Sequence, residues 1–166
     1  MGEVEKCIEK LSSYDFLNNL LPGAVFCYFF SLITGYKFDN DVIVNVCIYY
    51  FAGMLVSRIG SLIIEPLFKK IKIVKYADYD DFLIASDKDE KINCLSQTNN
   101  VYRTFLSAFI TLSIIKLLVF LQEKYSIFNN KVDIAIAILL VGLLIFSYRK
   151  QTDYIRKRVE RVCNRS

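Results

Sequence analysis

At 166 residues the chain is long enough for one domain, and 54% of those residues are apolar, above the ~45–50% usual for globular proteins. Histidine is absent, which removes the commonest neutral-pH acid/base and metal ligand; the five cysteines (Cys7, Cys27, Cys47, Cys94, Cys163) form no C-x-x-C pair, which argues against a zinc knuckle or a dithiol redox motif. The net charge is only +4, but it is placed very unevenly.

The first 15 residues carry Glu3, Glu5, Lys6, Glu9 and Lys10 and no early apolar core, so no secretory signal is read there and insertion falls to later segments. Val4, Cys7, Ile8 and Leu11 recur at i, i+3, i+4, i+7, which predicts a short amphipathic helix over 3–13, with Ser12 and Asp15 placed to cap the next one. That helix suits either the membrane surface or an oligomer contact below the first span. Its net acidity disfavours simple adhesion to anionic lipid.

A bilayer core about 30 Å thick needs roughly 17–25 mostly apolar helical residues. Four segments qualify: about Phe16–Tyr36, Val42–Ile64, Val101–Leu121 and Val132–Tyr148. Pro22-Gly23 sits near the entry of the first, where proline is tolerated. The second ends at Glu65-Pro66. Asp39, Asn40 and Asp41 offer N-caps for the second, and Asn130 with Asp133 resembles a capping pair for the fourth. The links Lys37–Asp41 and Gln122–Lys131 are short, so the expected class is all-α: about four transmembrane helices in two antiparallel hairpins, with helical extensions outside. Cys27 and Cys47 read as small apolar residues within spans.

Orientation follows from the basic residues. The two short links carry only Lys37, Lys124 and Lys131, whereas sixteen lie in the N-terminus, the 65–100 connector with Arg103, and the tail after Tyr148. This predicts both termini and the connector in the cytoplasm, which an even number of spans satisfies. A soluble helical bundle is the rival class, and four apolar segments with this charge asymmetry weigh against it.

Outside the spans, Lys69, Lys70, Lys72 and Lys75 form a basic run, followed by acidic Asp78, Asp80, Asp81, Asp87, Asp89 and Glu90. The lysines suit positive-inside anchoring or an anion site for phosphate groups. The tail holds Ile155, Val159 and Val162 on one stripe and Lys150, Lys157, Arg161 and Arg165 on another. The fourth helix is therefore expected to continue past the membrane with a packing face and a basic face. Lys157, Arg161 and neighbouring Arg156 suit headgroup anchoring, or a polyphosphate or nucleic-acid strand held by an oligomer.

Ionisable groups within spans cost roughly 2.5–3.5 kcal/mol each at the centre of a helix. Arg58 lies seven residues before Glu65, about 10 Å from the cytoplasmic end by helical rise. Lys116 lies about 9 Å from the outer end at Gln122 on the same rise. Both can snorkel; alternatively they face a bundle interior or a wet pore, with Arg58 partnered by Glu65 or by a carboxylate of another chain. Gly53, Ser57 and Ser61 form a four-residue repeat that allows close helix approach. Ser107 and Thr111 fall on one stripe of the third span, Ser113 and Lys116 on another. The fourth span is apolar all round, which leaves the second and third, with the first as a further candidate, as the expected oligomer interior. Arg58, Lys116, Ser57, Ser107 and Thr111 are thus the candidate pore-lining or packing polar groups.

No Walker A loop, G-x-S-x-G, H-E-x-x-H or G-x-G-x-x-G is present, and the Asp78–Asp81 cluster lacks regular metal-ligand spacing. The expectation is a protein without catalytic residues, metal or cofactor. The stretches YYFAGMLVSRIGSLIIEPLFKK and YADYDDFLIASDKDEKINCLSQTNNVYRTF resemble a widespread group of small bacterial membrane proteins. The overall plan resembles the small membrane effectors of bacterial phage-defence systems. The channel-like effector of Hailong-type systems is the nearest, and the small partner in Kiwa-type systems shares the plan. The resemblance implies an oligomeric inner-membrane ion channel restrained by a short single-stranded DNA made by a partner nucleotidyltransferase. It carries over no site residue. The other expectations are a non-conducting anchor or sensor that recruits a cytosolic partner through the connector and tail, and a lipid-modifying or transport protein, for which the spans offer few cavity-lining polar groups.

Overall fold

The computed structural model describes residues 13–125 and 132–163, and the side chains of 13, 123–125, 132–137, 158 and 161–163 lie outside that description. The amphipathic segment 3–13 and Asn130 also lie outside the described residues. All regular structure among the described residues is helical. A turn at Ser13–Asp15 leads into α1 (Phe16–Thr34), followed by α2 (Val42–Lys70), α3 (Tyr79–Lys88), α4 (Glu90–Tyr125) and α5 (Val132–Cys163).

Among the described residues three helices are long and apolar enough to cross a membrane: Phe16–Thr34, Val42–Lys70 and Glu90–Gln122. The expectation of four is met by three. The remaining predicted span, 132–148, is helical within α5, but its first six side chains lie outside the described ones. Only 28%, 17% and 22% of the most apolar stretches of the three helices are buried within the chain. Leu32, Phe51, Leu117 and Phe120 are among the large apolar side chains left exposed, as expected of surfaces that meet lipid or another protein.

Helix boundaries follow local chemistry. α1 stops two residues earlier than predicted: Gly35 takes a left-handed conformation (φ 72°) and donates its N–H to the Ser31 carbonyl at 2.8 Å, a glycine C-cap. Asp41 caps α2, its carboxylate accepting from the N–H groups of Ile43 (2.8 Å) and Val44 (3.4 Å). α2 runs past Glu65-Pro66 to Lys70. It ends in a Schellman-type cap, with Ile73 N–H donating to Phe68 O at 2.9 Å and Lys72 N–H to Lys69 O at 3.2 Å. Lys72 there has φ 62°, a conformation that normally favours glycine.

Both prolines follow a π turn. Phe16–Leu20 precedes Pro22 and Gly60–Ile64 precedes Pro66, each turn closed by an i→i+5 bond (Leu21 N–H to Phe16 O; Glu65 N–H to Gly60 O). Proline lacks the N–H and presses on the carbonyl four residues back. A widened turn at that point lets the helix continue without breaking.

α4 starts at Glu90, eleven residues before the predicted span, so much of the expected connector is helix. Asp89 opens α4, accepting from Lys91 N–H at 2.9 Å, and α3 buries Leu83. α5 continues without a break through Cys163, as the tail stripes predicted. The chain divides into two compact units, Met1–Lys124 and Tyr125–Ser166.

Candidate intramembrane polar site and basic clusters

α1, α2 and α4 meet through small and polar residues. A Cβ on Gly23 would fall 1.8 Å from Tyr49 O, and one on Gly53 would fall 1.8 Å from Asn19 O. The α1 and α2 backbones therefore touch at a glycine pair, and no side chain fits between them. Gly60 receives α4 in a similar way, with Arg103 Cγ and Ser107 Cβ each 3.3 Å from where its Cβ would be.

Close approach brings buried polar groups together beside those glycines. Asn18, in the first π turn, lies at the centre. Its Oδ1 is 3.1 Å from Thr104 Oγ1, whose hydroxyl proton is shared with Asn100 O at 2.9 Å. Its Nδ2 donates to Asn19 Oδ1 at 3.1 Å and reaches Ser57 Oγ at 3.5 Å. Ser107 Oγ donates to Val56 O at 2.8 Å. Thr104, Ser107 and Ala108 have no exposed surface. In hydrocarbon an unsatisfied polar group is costly, so these bonds hold three helices in one register.

Toward the C-terminal end of α2 the set ends in an ion pair. Glu65 is buried and accepts from Arg103 Nη1 at 2.6 Å and Lys69 Nζ at 2.8 Å. Lys69 also stands 4.1 Å from the Tyr76 ring centroid. Asn99 donates to Tyr76 Oη at 3.2 Å and its neighbour Asn100 to Tyr14 Oη at 3.1 Å. Two tyrosines thus clasp α4 at one level, the kind of residue that marks a membrane–water boundary.

Of the sequence-predicted polar groups, Ser57 and Ser107 belong to this joint, and Thr111 continues the same face of α4, partly buried. Arg58 is partly buried and makes no ion pair among the described residues; Glu65, its expected partner, is held by Arg103 and Lys69. Lys116 is exposed, on a different face of α4 from Ser107. Sequence reasoning missed the Glu65–Arg103 pair, Asn18 as the hub, and Thr104. The signal for the last was available: the Ser107–Thr111 stripe runs back by helical steps through Thr104 to Asn100.

The basic clusters are less uniform than their sequence suggests. Lys69 is occupied by Glu65 and Tyr76, whereas Lys70, Lys72 and Lys75 are exposed around the end of α2. In α5, Arg156 and Lys157 reach Asp153 at 2.6 and 3.1 Å. Those contacts hold the Asp153 carboxyl below its ordinary value of 3.8, hydrogen bonding being the larger cause. The Arg161 side chain lies outside the described residues. No cluster of three or more metal-ligating side chains occurs among the described residues. No family model, curated protein or solved structure matches the chain, so the reading of this site rests on its own residues.

Proposed function

We propose that the chain is one subunit of an oligomeric, channel-like membrane effector that lowers inner-membrane integrity or potential. The observation that carries this reading is the pair of intramembrane cations. Arg58 and Lys116 make no ion pair among the described residues, and no Asp or Glu occurs in 16–34, 42–64, 101–121 or 134–148. Charges at such depth face a bundle interior or water, and one chain of a few short spans has little room for a lumen. Several copies supply it. In this reading the apolar start of α5 is a fourth span, and both termini and the basic clusters face the cytoplasm.

Control falls to an anionic ligand, a nucleotide or short single-stranded DNA, at Lys70, Lys72 and Lys75 and at Arg156, Lys157 and Arg161. Antiphage defence, with a nucleotidyltransferase in the same system, is the setting suggested by the sequence resemblance. Purified protein in liposomes is expected to pass ions, and to do so differently when oligonucleotide is added. No flux under either condition, from a verified oligomer, refutes the reading.

One observation favours a non-conducting anchor or sensor instead. Ile155 and Val159 on the tail helix are 57% and 55% exposed and offer an apolar stripe to a cytosolic partner. A stable complex recovered with a cytosolic protein, together with ion-tight liposomes, would select that reading.

A further inference from the structure

α4 has two opposite faces. The inner one carries Asn100, Thr104, Ser107, Ala108 and Leu112 and packs within the chain. The outer one carries Tyr102, Leu106, Phe109, Ser113, Lys116 and Phe120, all exposed. Their steps of +4, +3, +4, +3, +4 are the seam of a left-handed helix–helix contact. At about 100° per residue the six fall within roughly 80° of arc, about opposite Thr104.

The exposed faces of the other two candidate spans differ in kind. On α1 they show Leu17, Leu21, Phe29 and Leu32 with Tyr28 beside them, and on α2 Val42, Ile43, Phe51 and Ile63. Among the exposed side chains within these apolar stretches, the α4 seam alone carries a lysine, Lys116, about 9 Å from the outer end. A lone cation at a seam position sets register and copy number at a cost in stability. A second copy brings no carboxylate to that depth, since none exists there in the sequence. Water is the partner left for Lys116, and a wet axis between copies supplies it.

We infer that copies of this chain meet through the Tyr102–Phe120 seam of α4 around a water-filled axis, with a ring of Lys116 side chains near its outer end that favours small inorganic anions. Rings of lysine select anions by charge; Phe109, whose ring meets Phe29 of α1 edge-on at 6.1 Å, borders the seam on the α1 side. The inference deepens the channel reading by naming the conducting helix and the sign of the ion, and rests on that reading.

The full chain with its five cysteines replaced is reconstituted in liposomes, carrying either Ser113→Cys on the seam or Leu118→Cys. Leu118 is also exposed, about 7.5 Å further along the helix and about 140° around it from Ser113. Oxidation is expected to give at least tenfold more covalent dimer from Ser113→Cys. Chloride-over-potassium preference is expected in the wild type, reversed by Lys116→Glu and weakened by Lys116→Gln. Equal or inverted cross-linking overturns the seam, even where flux persists and the channel reading stands. Seam cross-linking with no flux in any variant overturns the ion path and the channel reading together. Seam cross-linking with unchanged ion preference in Lys116→Glu means that Lys116 snorkels to the outer headgroups, and overturns the ring.

Discussion

The two faces of α4 carry polar residues in similar number and opposite circumstance. On the inner face Thr104 and Ser107 are fully buried, and each hydroxyl ends on an oxygen of α1 or α2. On the outer face Ser113 bonds back to Phe109 O of its own helix at 2.8 Å, and Lys116 makes no ion pair among the described residues. A polar residue in a span is therefore no guide to a pore by itself. Whether its bonds close within one chain decides between glue and lining.

Three changes would break the joint of α1, α2 and α4, and the largest effect belongs to Gly53→Ala. The added methyl would sit 1.8 Å from Asn19 O, a backbone atom that moves only if α1 and α2 separate. Overpacking usually costs about 1–3 kcal/mol, and here it should reach or exceed the top of that range. Thermal unfolding in detergent should show a large loss, whereas Gly142→Ala, whose Cβ meets nothing within 4 Å, should change little. Equal stability of the two variants would contradict the backbone contact.

Next comes Glu65→Gln, which leaves Arg103 without a counter-charge while Lys69 is free to reach water. Removing one partner of a buried pair costs about 3–5 kcal/mol, and the 17% exposure of Arg103 puts this one near the lower bound. The Glu65→Met, Arg103→Met double variant should recover much of the loss, and failure to recover would mean that the pair acts through something other than charge. Thr104→Val is milder. It strands Asn18 Oδ1, and intramembrane hydrogen bonds of this kind are worth about 0.6–1.7 kcal/mol. A Thr104→Ser variant, which keeps the hydroxyl, should lie close to wild type by the same melting assay.

The inner face also shows what sequence could reveal. The apolar blocks and the Asp41 cap were legible because each is a local matter, whereas the Gly35 cap that ends α1 two residues early was not read. The Gly53–Ser57–Ser61 repeat pointed correctly to close packing, but its true partner, Gly23, lay beside Pro22 and read as a helix entry. The Glu65–Arg103 pair joins residues 38 apart, and nothing local distinguishes that glutamate from any other at a helix exit. Its proximity to Arg58 by sequence pointed to the wrong partner. The π turns were likewise hidden, since the prolines announced a disturbance without saying that widening, not kinking, would absorb it.

Where α2 leaves the joint, the sign reverses. Lys72 holds a left-handed backbone (φ 62°) that costs an L-residue about 1–2 kcal/mol and costs glycine almost nothing. Lys72→Gly should raise stability by up to about 1 kcal/mol, less whatever the freer unfolded chain returns. If anion binding at this turn needs the lysine, affinity for oligonucleotide should fall in the same variant. A gain in stability with a loss of binding would show a residue kept for its charge against its backbone preference.

The smallest effect lies in α5, where charge works in water. Arg156 and Lys157 hold Asp153 as a carboxylate, so its folded pKa lies below the ordinary 3.8. A group depressed on folding stabilises the folded form above its unfolded value and loses that contribution as pH falls through the folded one. The tail helix should thus keep this contribution at neutral pH and give it up only below about pH 4. Asp153 keeps 40% of its side chain in water, so salt should erode the effect. A carboxyl-carbon titration by NMR in detergent should place Asp153 below 3.8, moving up toward it in Arg156→Gln. A midpoint at or above 3.8 would mean that the two cations point elsewhere in solution, leaving the basic face of α5 freer for an anionic ligand than these contacts imply.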